Sequence, residues 1–191
     1  MKRISLVKEA HSLIKCRLNP GAIAIDATAG NGHDTLFLSK QVTATGKVYA
    51  FDLQQAALDT TRSRLQQANL LDCLTLIQAD HALMTEKIPV QHHGKISAVM
   101  FNLGYLPGGD KTIITLASST LAALNSASRM LSKEGILTVL AYPGHEGGDI
   151  ETEHVKRWCG QLNKQQFCVS SSDTRENNAS EPVLFAIYKT V

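Results

Sequence analysis

The sequence lacks the features of a secreted, membrane-spanning or metal-binding protein. Its four cysteines, Cys16, Cys73, Cys159 and Cys168, form no CxxC pair, which argues against a zinc site or a redox motif. No apolar run reaches the roughly 18 residues that a membrane-spanning helix needs. A net charge of +2 neither predicts nor excludes a nucleic-acid partner. We therefore expect a cytoplasmic globular protein with reduced thiols, no membrane association and no bound metal.

Apolar runs alternate with helical patterns along most of the chain, which is typical of a parallel sheet covered by helices on both faces. They predict strands near 22–27, 47–52, 73–78, 95–101, 135–142, 166–171 and 183–189. Helices are predicted near 32–44, 54–69, 112–132 and 149–163, with a further helix near 3–17. Only residues 172–182 separate the last two strands, too few for a parallel crossover. The fold class is therefore α/β, a seven-stranded, mostly parallel sheet with an antiparallel last strand.

The whole chain, residues 1–191, is expected to form one domain, in which residues 1–20 are a helical amino-terminal extension. Its most informative segment is residues 26–35, DATAGNGHDT, between an apolar run and a helical pattern. A dinucleotide site needs G-x-G-x-x-G, and the corresponding positions hold Thr28, Gly30 and His33, which disfavours NAD. An acid followed by small residues at alternating positions is instead typical of S-adenosylmethionine sites. Here these are Asp26, Thr28, Gly30 and Gly32, with a threonine at the first glycine position.

Two more of the predicted strands end in an acid. Asp52 ends the second strand, where an ionised carboxylate can accept hydrogen bonds from both hydroxyls of a ribose. Gln54 can reach the same ligand face. Asp80 follows the third strand, in a position suited to the exocyclic amine of an adenine. Each acid could instead cap a helix, but three in this order favour S-adenosylmethionine.

The loop after the fourth predicted strand is a candidate for the reacting end, because ligands bind at the carboxyl ends of parallel strands. Many amino-methylating enzymes carry Asn-Pro-Pro-Tyr there. This chain has Asn102, Leu103, Gly104 and Tyr105, so the asparagine and the aromatic residue remain without the prolines. The Asn102 side chain and the Leu103 carbonyl are candidate acceptors that position an amine, and Asn102 is also a candidate cofactor contact. Tyr105 could stack on a base or be part of the core.

A methylated amine must release a proton, and two residues, Asp110 and His145, are alternative acceptors between which the sequence does not choose. Substrate contacts are predicted along the loop, beside it, and between the last two strands. The residues are Leu103, Gly104, Tyr105, Lys111, Arg175 and Asn177.

Three segments resemble the motifs of one family. Residues 26–35, residues 102–110 (NLGYLPGGD) and residues 142–148 (YPGHEGG) resemble those of the MnmM-like class I methyltransferases, a group labelled as rRNA methylases. The resemblance implies a Rossmann-like fold and S-adenosylmethionine as methyl donor. It also implies conversion of 5-aminomethyl-(2-thio)uridine to 5-methylaminomethyl-(2-thio)uridine at tRNA wobble position 34. Cofactor contacts are implied at Asn31, Asp34, Asp52, Gln54 and His81.

The anticodon region of tRNA is the partner that the resemblance implies, and a homodimer would enlarge its footprint. Basic residues could meet the phosphates, those after residue 150 being as easily a solvated helix face. They are Lys2, Arg3, Lys8, Lys15, Arg17, Lys156, Arg157 and Lys164. Two alternatives stay open: a methyltransferase for rRNA or for a small-molecule amine, and an S-adenosylmethionine-binding module without catalysis. The loop at Asn102 disfavours the second, because a pure binder needs no ordered set of acceptors there.

Overall fold

A computed structural model of the chain describes residues 5–106, 108, 114–144, 146–172 and 180–191. Its strands are β1 (Ile23–Asp26), β2 (Lys47–Asp52), β3 (Leu74–Gln78), β4 (Ile96–Asn102), β5 (Leu131–Ala141), β6 (Phe167–Ser171) and β7 (Val183–Lys189). Its helices are α1 (Leu6–Lys15), α2 (His33–Val42), α3 (Gln55–Gln67), α4 (Met84–Lys87), α5 (Ala117–Met130) and α6 (Gly148–Gln161). Two short 3₁₀ turns, His81–Leu83 and Val90–His92, lie between β3 and β4.

The strands form a single sheet in the order β3-β2-β1-β4-β5-β7-β6. Strands β1 to β5 are parallel, and β7 is antiparallel to both of its neighbours, β5 and β6. This confirms the predicted mostly parallel sheet with an antiparallel last strand. The chain order reverses between β1 and β4, and a crevice at such a switch point is where α/β sheets bind ligands. Asp26, Asp52 and Asn102 end β1, β2 and β4 at that edge.

Buried side chains pack on both faces of the sheet. Successive residues of a strand point to opposite faces: in β1, Ala24 packs with Ile14 of α1 and Leu38 of α2, whereas Ile25 packs with Leu124 of α5. Helix α3 packs on the same face as Ala24, and helices α4, α5 and α6 pack on the face of Ile25. The alternation explains why the strands read as continuous apolar runs, since both faces are covered.

The prediction that the long helix starts at residue 112 is wrong. Helix α5 begins at Ala117, because Ile114 forms an antiparallel β-bridge with Tyr105 and the Thr115 N–H donates to the Gly104 carbonyl at 2.9 Å. Leu116, which directly precedes α5, is 57% exposed. The segment before α5 therefore belongs to the loop that follows β4.

The start of β5 also differs from the prediction. The strand begins at Leu131, directly after α5, and not at Gly135. Its register against β4 is irregular, since Ile96 pairs with Leu131 and Ala98 pairs with Ile136. Glu134 has a φ of 63°, which marks the bulge. The other predicted strand ends agree with the structure to within one residue.

Candidate active site

A cavity of about 660 Å³ opens at the edge of the sheet where β1, β2 and β4 end. This volume suits a small-molecule ligand. Most of the predicted site residues line it: Gly30, Asn31, Asp34, Asp52, Gln54, Asp80, His81, Asn102, Leu103, Gly104 and Tyr105. Asp26 and Gly32 are not part of its wall. Lys2, Arg3, Asp110, Lys111, His145, Arg175 and Asn177 lie outside the described residues.

Asp26 lies beneath the loop that follows β1. Its side chain is fully buried and accepts hydrogen bonds from the Thr28 N–H at 3.1 Å and from the Thr35 hydroxyl at 2.5 Å. Burial, with a smaller effect from Asp34, raises the pKa of Asp26 to about 7. Asp26 thus fixes the loop to the start of α2.

Position 32 requires a glycine because the backbone packs closely against α3 there. It caps α2 with a φ of 75°, and a Cβ at this position would lie 2.9 Å from the Cα of Thr61 in α3. Any other residue would push the loop away from α3. Gly30 serves the cavity more directly, because its N–H donates to Asp52 Oδ2 at 2.8 Å. Gly32 is thus a packing residue, and Gly30 joins the β1 and β2 loops.

Asp52 holds two backbone groups and retains capacity for a ligand. Its Oδ2 accepts from the Gly30 N–H at 2.8 Å, and its Oδ1 accepts from the Gln54 N–H at 2.9 Å. A carboxylate offers about four lone-pair positions, so each oxygen can accept one further hydrogen bond. The two backbone donors set the orientation of the carboxylate at the cavity wall. A vicinal diol supplies the two donors that this arrangement leaves room for.

His81 lies in the cavity wall with its ring buried. Its Nδ1 lies 3.0 Å from the Ala27 carbonyl oxygen, which can only accept, so Nδ1 carries the proton. Burial lowers the pKa of His81, so the ring is neutral at pH 7 and Nε2 has a free lone pair. Within the described part of the chain, this Nε2 is buried and has no hydrogen-bond partner. The bond from Nδ1 to the Ala27 carbonyl fixes the turn after β3 against the loop after β1.

Asp80, a predicted cofactor contact, also caps a helical turn. Its Oδ1 accepts from the Ala82 N–H at 2.8 Å and caps the short turn that begins with His81. The distance from Asp80 Oδ1 to His81 Nε2 is 3.9 Å, but a neutral imidazole forms no ion pair with it. Asp80 remains part of the cavity wall and sets the position of the turn that carries His81.

Helix α1 reaches the site, which the sequence did not indicate. Val7 lines the cavity, and His11 Nε2 lies 2.6 Å from Oδ1 of Asp34, a carboxylate in a residue that is 8% exposed. The His11 ring stacks on Phe37 with a centroid separation of 3.9 Å and an interplanar angle of 3°. Nothing local in the sequence marks this contact, because the partners are 23 positions apart.

The loop after β4 is fastened to its surroundings by backbone groups. The Asn102 N–H donates to the Thr28 hydroxyl at 2.8 Å, and the Leu103 N–H donates to the Leu140 carbonyl at 2.9 Å. The Leu103 side chain is buried in the core, whereas Tyr105 is 42% exposed at the cavity. The site therefore has a polar end at Asp52 and His81 and a loop at Asn102–Tyr105, joined in one cavity.

The described residues include neither a cluster of metal ligands nor a membrane-spanning helix. Among them, no group of three or more His, Cys, Asp or Glu side chains could hold a metal ion. No helix in that part of the chain has the length and apolar character to cross a lipid bilayer.

Comparison with known proteins places these features in a family. Residues 48–188 match the sequence model of the family described as "Putative rRNA methylase". The chain is 41% identical, over 94% of its length and 68% of the relative's, to the tRNA (mnm(5)s(2)U34)-methyltransferase, chloroplastic, of Arabidopsis thaliana.

Solved structures are similar over nearly the full chain. The structure of a putative rRNA-methylase from Clostridium thermocellum has a TM-score of 0.92 at 36% identity, and the match covers 99% of this chain and 100% of that one. A putative methyltransferase from Streptococcus mutans, in complex with SAH, has a TM-score of 0.86 at 34% identity, with 98% and 99% covered. The chain therefore belongs to the rRNA methylase family of class I methyltransferases, which have a Rossmann-like fold.

Proposed function

We propose that this chain is an S-adenosylmethionine-dependent N-methyltransferase. Its substrate is 5-aminomethyl-(2-thio)uridine at wobble position 34 of tRNA, and its product is the 5-methylaminomethyl nucleoside. The observation that carries the proposal is the single cavity in which a ribose-type acceptor, Asp52, and the loop at Asn102 face the same space. The name of the 41% identical Arabidopsis relative supports the choice of acceptor nucleoside.

The polar end of the cavity fits the adenosine part of the cofactor. Asp52 has two acceptor positions left for the ribose hydroxyls, and His81, a proposed cofactor contact, lies in the same cavity wall. Asn31, Asp34 and Gln54 complete the proposed contacts from the same wall. Asp26 and Gly32 would act by shaping the loop that Gly30 and Asn31 present.

When bound, S-adenosylmethionine supplies a methyl group that is already activated on a sulfonium sulfur, so alignment supplies much of the rate. The substrate amine must be neutral and must point its lone pair at that methyl. The Asn102 side chain and the Leu103 carbonyl are the proposed acceptors for its N–H groups, and Tyr105 is proposed to stack on the uracil. The released proton passes to Asp110 or His145, directly or through water.

Exposed basic residues on or just after α1 support a tRNA footprint. Lys8 follows Val7, which lines the cavity, whereas Lys15 and Arg17 lie at the far end of the helix, where Arg17 contacts the Glu134 carbonyl in β5. Phosphate contacts from such residues would make binding salt-dependent. We propose that residues 1–191 act as one methyltransferase domain on the tRNA anticodon region, with a homodimer as the means of extending the footprint. The cytoplasmic location stays a prediction.

Nucleoside mass spectrometry tests the proposal. In tRNA from a strain that lacks the gene, the unmethylated aminomethyl nucleoside should accumulate, and expression of the chain should restore the methylated one. An unchanged tRNA nucleoside profile would contradict the tRNA assignment. Loss of a methyl group from rRNA in the same strain would favour the rRNA alternative.

A further inference from the structure

A buried carboxylate next to the substrate loop has no role in the function proposed above. Glu151 of α6 is only 3% exposed. Its Oε2 accepts a hydrogen bond from the Thr115 hydroxyl at 2.7 Å, and its Oε1 accepts from the Thr120 hydroxyl at 2.6 Å. Burial of a charge is unfavourable unless it is well hydrogen-bonded, and two hydroxyl donors meet that need.

The hydrogen bond from Thr115 to Glu151 determines what Thr115 can do for the loop. A hydroxyl has one proton, so Thr115 Oγ1 has only lone pairs left after donating to Glu151. One of them accepts the Gly104 N–H at 2.9 Å. The Thr115 N–H in turn donates to the Gly104 carbonyl, also at 2.9 Å. Both backbone polar groups of Gly104 are therefore held by one threonine, whose hydroxyl is oriented by Glu151.

The orientation of the Gly104 N–H also sets that of the preceding carbonyl. The peptide between Leu103 and Gly104 is planar and trans, so its N–H and C=O point in opposite directions. With the N–H directed at Thr115, the Leu103 carbonyl points away from Thr115. Gly104 has a φ of 127°, in a region that only glycine adopts readily, so this peptide depends on outside contacts for a single orientation.

We infer that Thr115, whose hydroxyl is oriented by Glu151, is a positioning residue for methyl transfer: it fixes the peptide whose Leu103 carbonyl receives an N–H of the substrate amine. The inference rests on the proposed function, because it assigns that carbonyl to the amine. Cofactor binding should not depend on Thr115. The rate of the transfer step should, because it depends on the direction of the amine lone pair.

Two threonine variants separate this role from a structural one. Thr115→Val and Thr120→Val each remove one hydroxyl from the same carboxylate, but only Thr115→Val also removes the acceptor of the Gly104 N–H. With saturating cofactor and aminomethyl-uridine tRNA, we expect single-turnover transfer to slow about tenfold or more in Thr115→Val. Thr120→Val should transfer at close to the wild-type rate, and Thr115→Ser should restore it. Cofactor affinity should match wild type in all three.

The hydrogen bond from the Gly104 N–H to the Thr115 hydroxyl is measured by amide hydrogen exchange of Gly104 in ¹⁵N-glycine-labelled protein. Its N–H should be protected in the wild type and in Thr120→Val, and should exchange faster in Thr115→Val. Equal exchange in the two valine variants, or equal transfer rates with faster exchange in Thr115→Val, would overturn the inference. A wild-type chain that transfers no methyl group to tRNA would instead contradict the proposed function, and the exchange of Gly104 would still decide whether the hydrogen-bond chain exists.

Discussion

The hydroxyl oxygen of Thr28 accepts a hydrogen bond from the backbone N–H of Asn102 at 2.8 Å. Thr28 occupies the position where the S-adenosylmethionine motif ordinarily has its first glycine, and Asn102 begins the loop proposed to position the substrate. A glycine could not make this bond. The departure from the motif therefore joins the loop after β1 to the loop after β4.

Replacing Thr28 by glycine should weaken the enzyme, although it restores the usual motif. The Asn102 N–H would lose its partner, so we expect a loss of about 1 kcal/mol in the free energy of unfolding. Methyl transfer should slow by about tenfold, because the Asn102 loop is less well fixed. Thr28→Ser, which keeps the hydroxyl, should be close to wild type. Denaturant unfolding and single-turnover transfer measure both effects, and a Thr28→Gly variant as active as Thr28→Ser would contradict this role.

Substitutions of Asp52 and of Asn102 should affect different quantities, the first cofactor binding and the second turnover. Asp52→Asn leaves one acceptor oxygen where the carboxylate had two, so S-adenosylmethionine affinity should fall by about tenfold or more. Asn102→Ala should slow transfer while changing cofactor affinity by less than about threefold, because it removes a proposed substrate contact. Calorimetric titration measures the affinity for the cofactor, and kinetics at saturating cofactor measure the rate of methyl transfer. Normal cofactor binding by Asp52→Asn would show that the ribose contact is misplaced.

His11 is expected to orient the Asp34 carboxylate for the cofactor. His11→Phe keeps a ring to stack on Phe37 but removes the 2.6 Å contact with Asp34. Asp34 should then be less well positioned, and cofactor affinity should fall by a few-fold, in keeping with about 1 kcal/mol per hydrogen bond. Ser12→Ala, an exposed change on the same helix, is the matched control. If both variants bind the cofactor as the wild type does, His11 only anchors α1.

The buried Asp26 should make stability depend on pH. The pKa of Asp26 rises from 3.8 to about 7 in the folded chain, mainly through burial. Between these two values the folded chain holds more protons than the unfolded chain, so stability falls as pH rises toward about 7.

Asp26→Asn has no proton to lose and can still accept from the Thr28 N–H while donating to Thr35 Oγ1. Its Tm relative to wild type should therefore increase from about pH 5 to about pH 7 and level off above that range. Thermal unfolding across this range measures the difference. A Tm difference that is independent of pH would show that Asp26 is ionised throughout.

The strands and their terminal acids could be predicted from the sequence because their signals are local. Continuous apolar runs fix β1 to β4, and Asp26 and Asp52 follow them directly. The contacts that complete the site carry no such signal. His11 meets Asp34 across 23 positions, and Thr115 meets Glu151 across 36, so each depends on how helices pack on the finished sheet. The start of α5 depends on a contact of the same kind. Ile114 forms a β-bridge with Tyr105, so the helix begins only after this residue.

The central claim is methyl transfer to the aminomethyl group of the wobble uridine. Its most direct test incubates the purified chain with S-adenosylmethionine carrying a deuterated methyl group and with tRNA that bears 5-aminomethyl-2-thiouridine, followed by nucleoside mass spectrometry. The account predicts that the trideuteromethyl group appears in 5-methylaminomethyl-2-thiouridine, and that Asn102→Ala greatly reduces it. Absence of the label from that nucleoside, with a wild-type chain that binds the cofactor, would contradict the account.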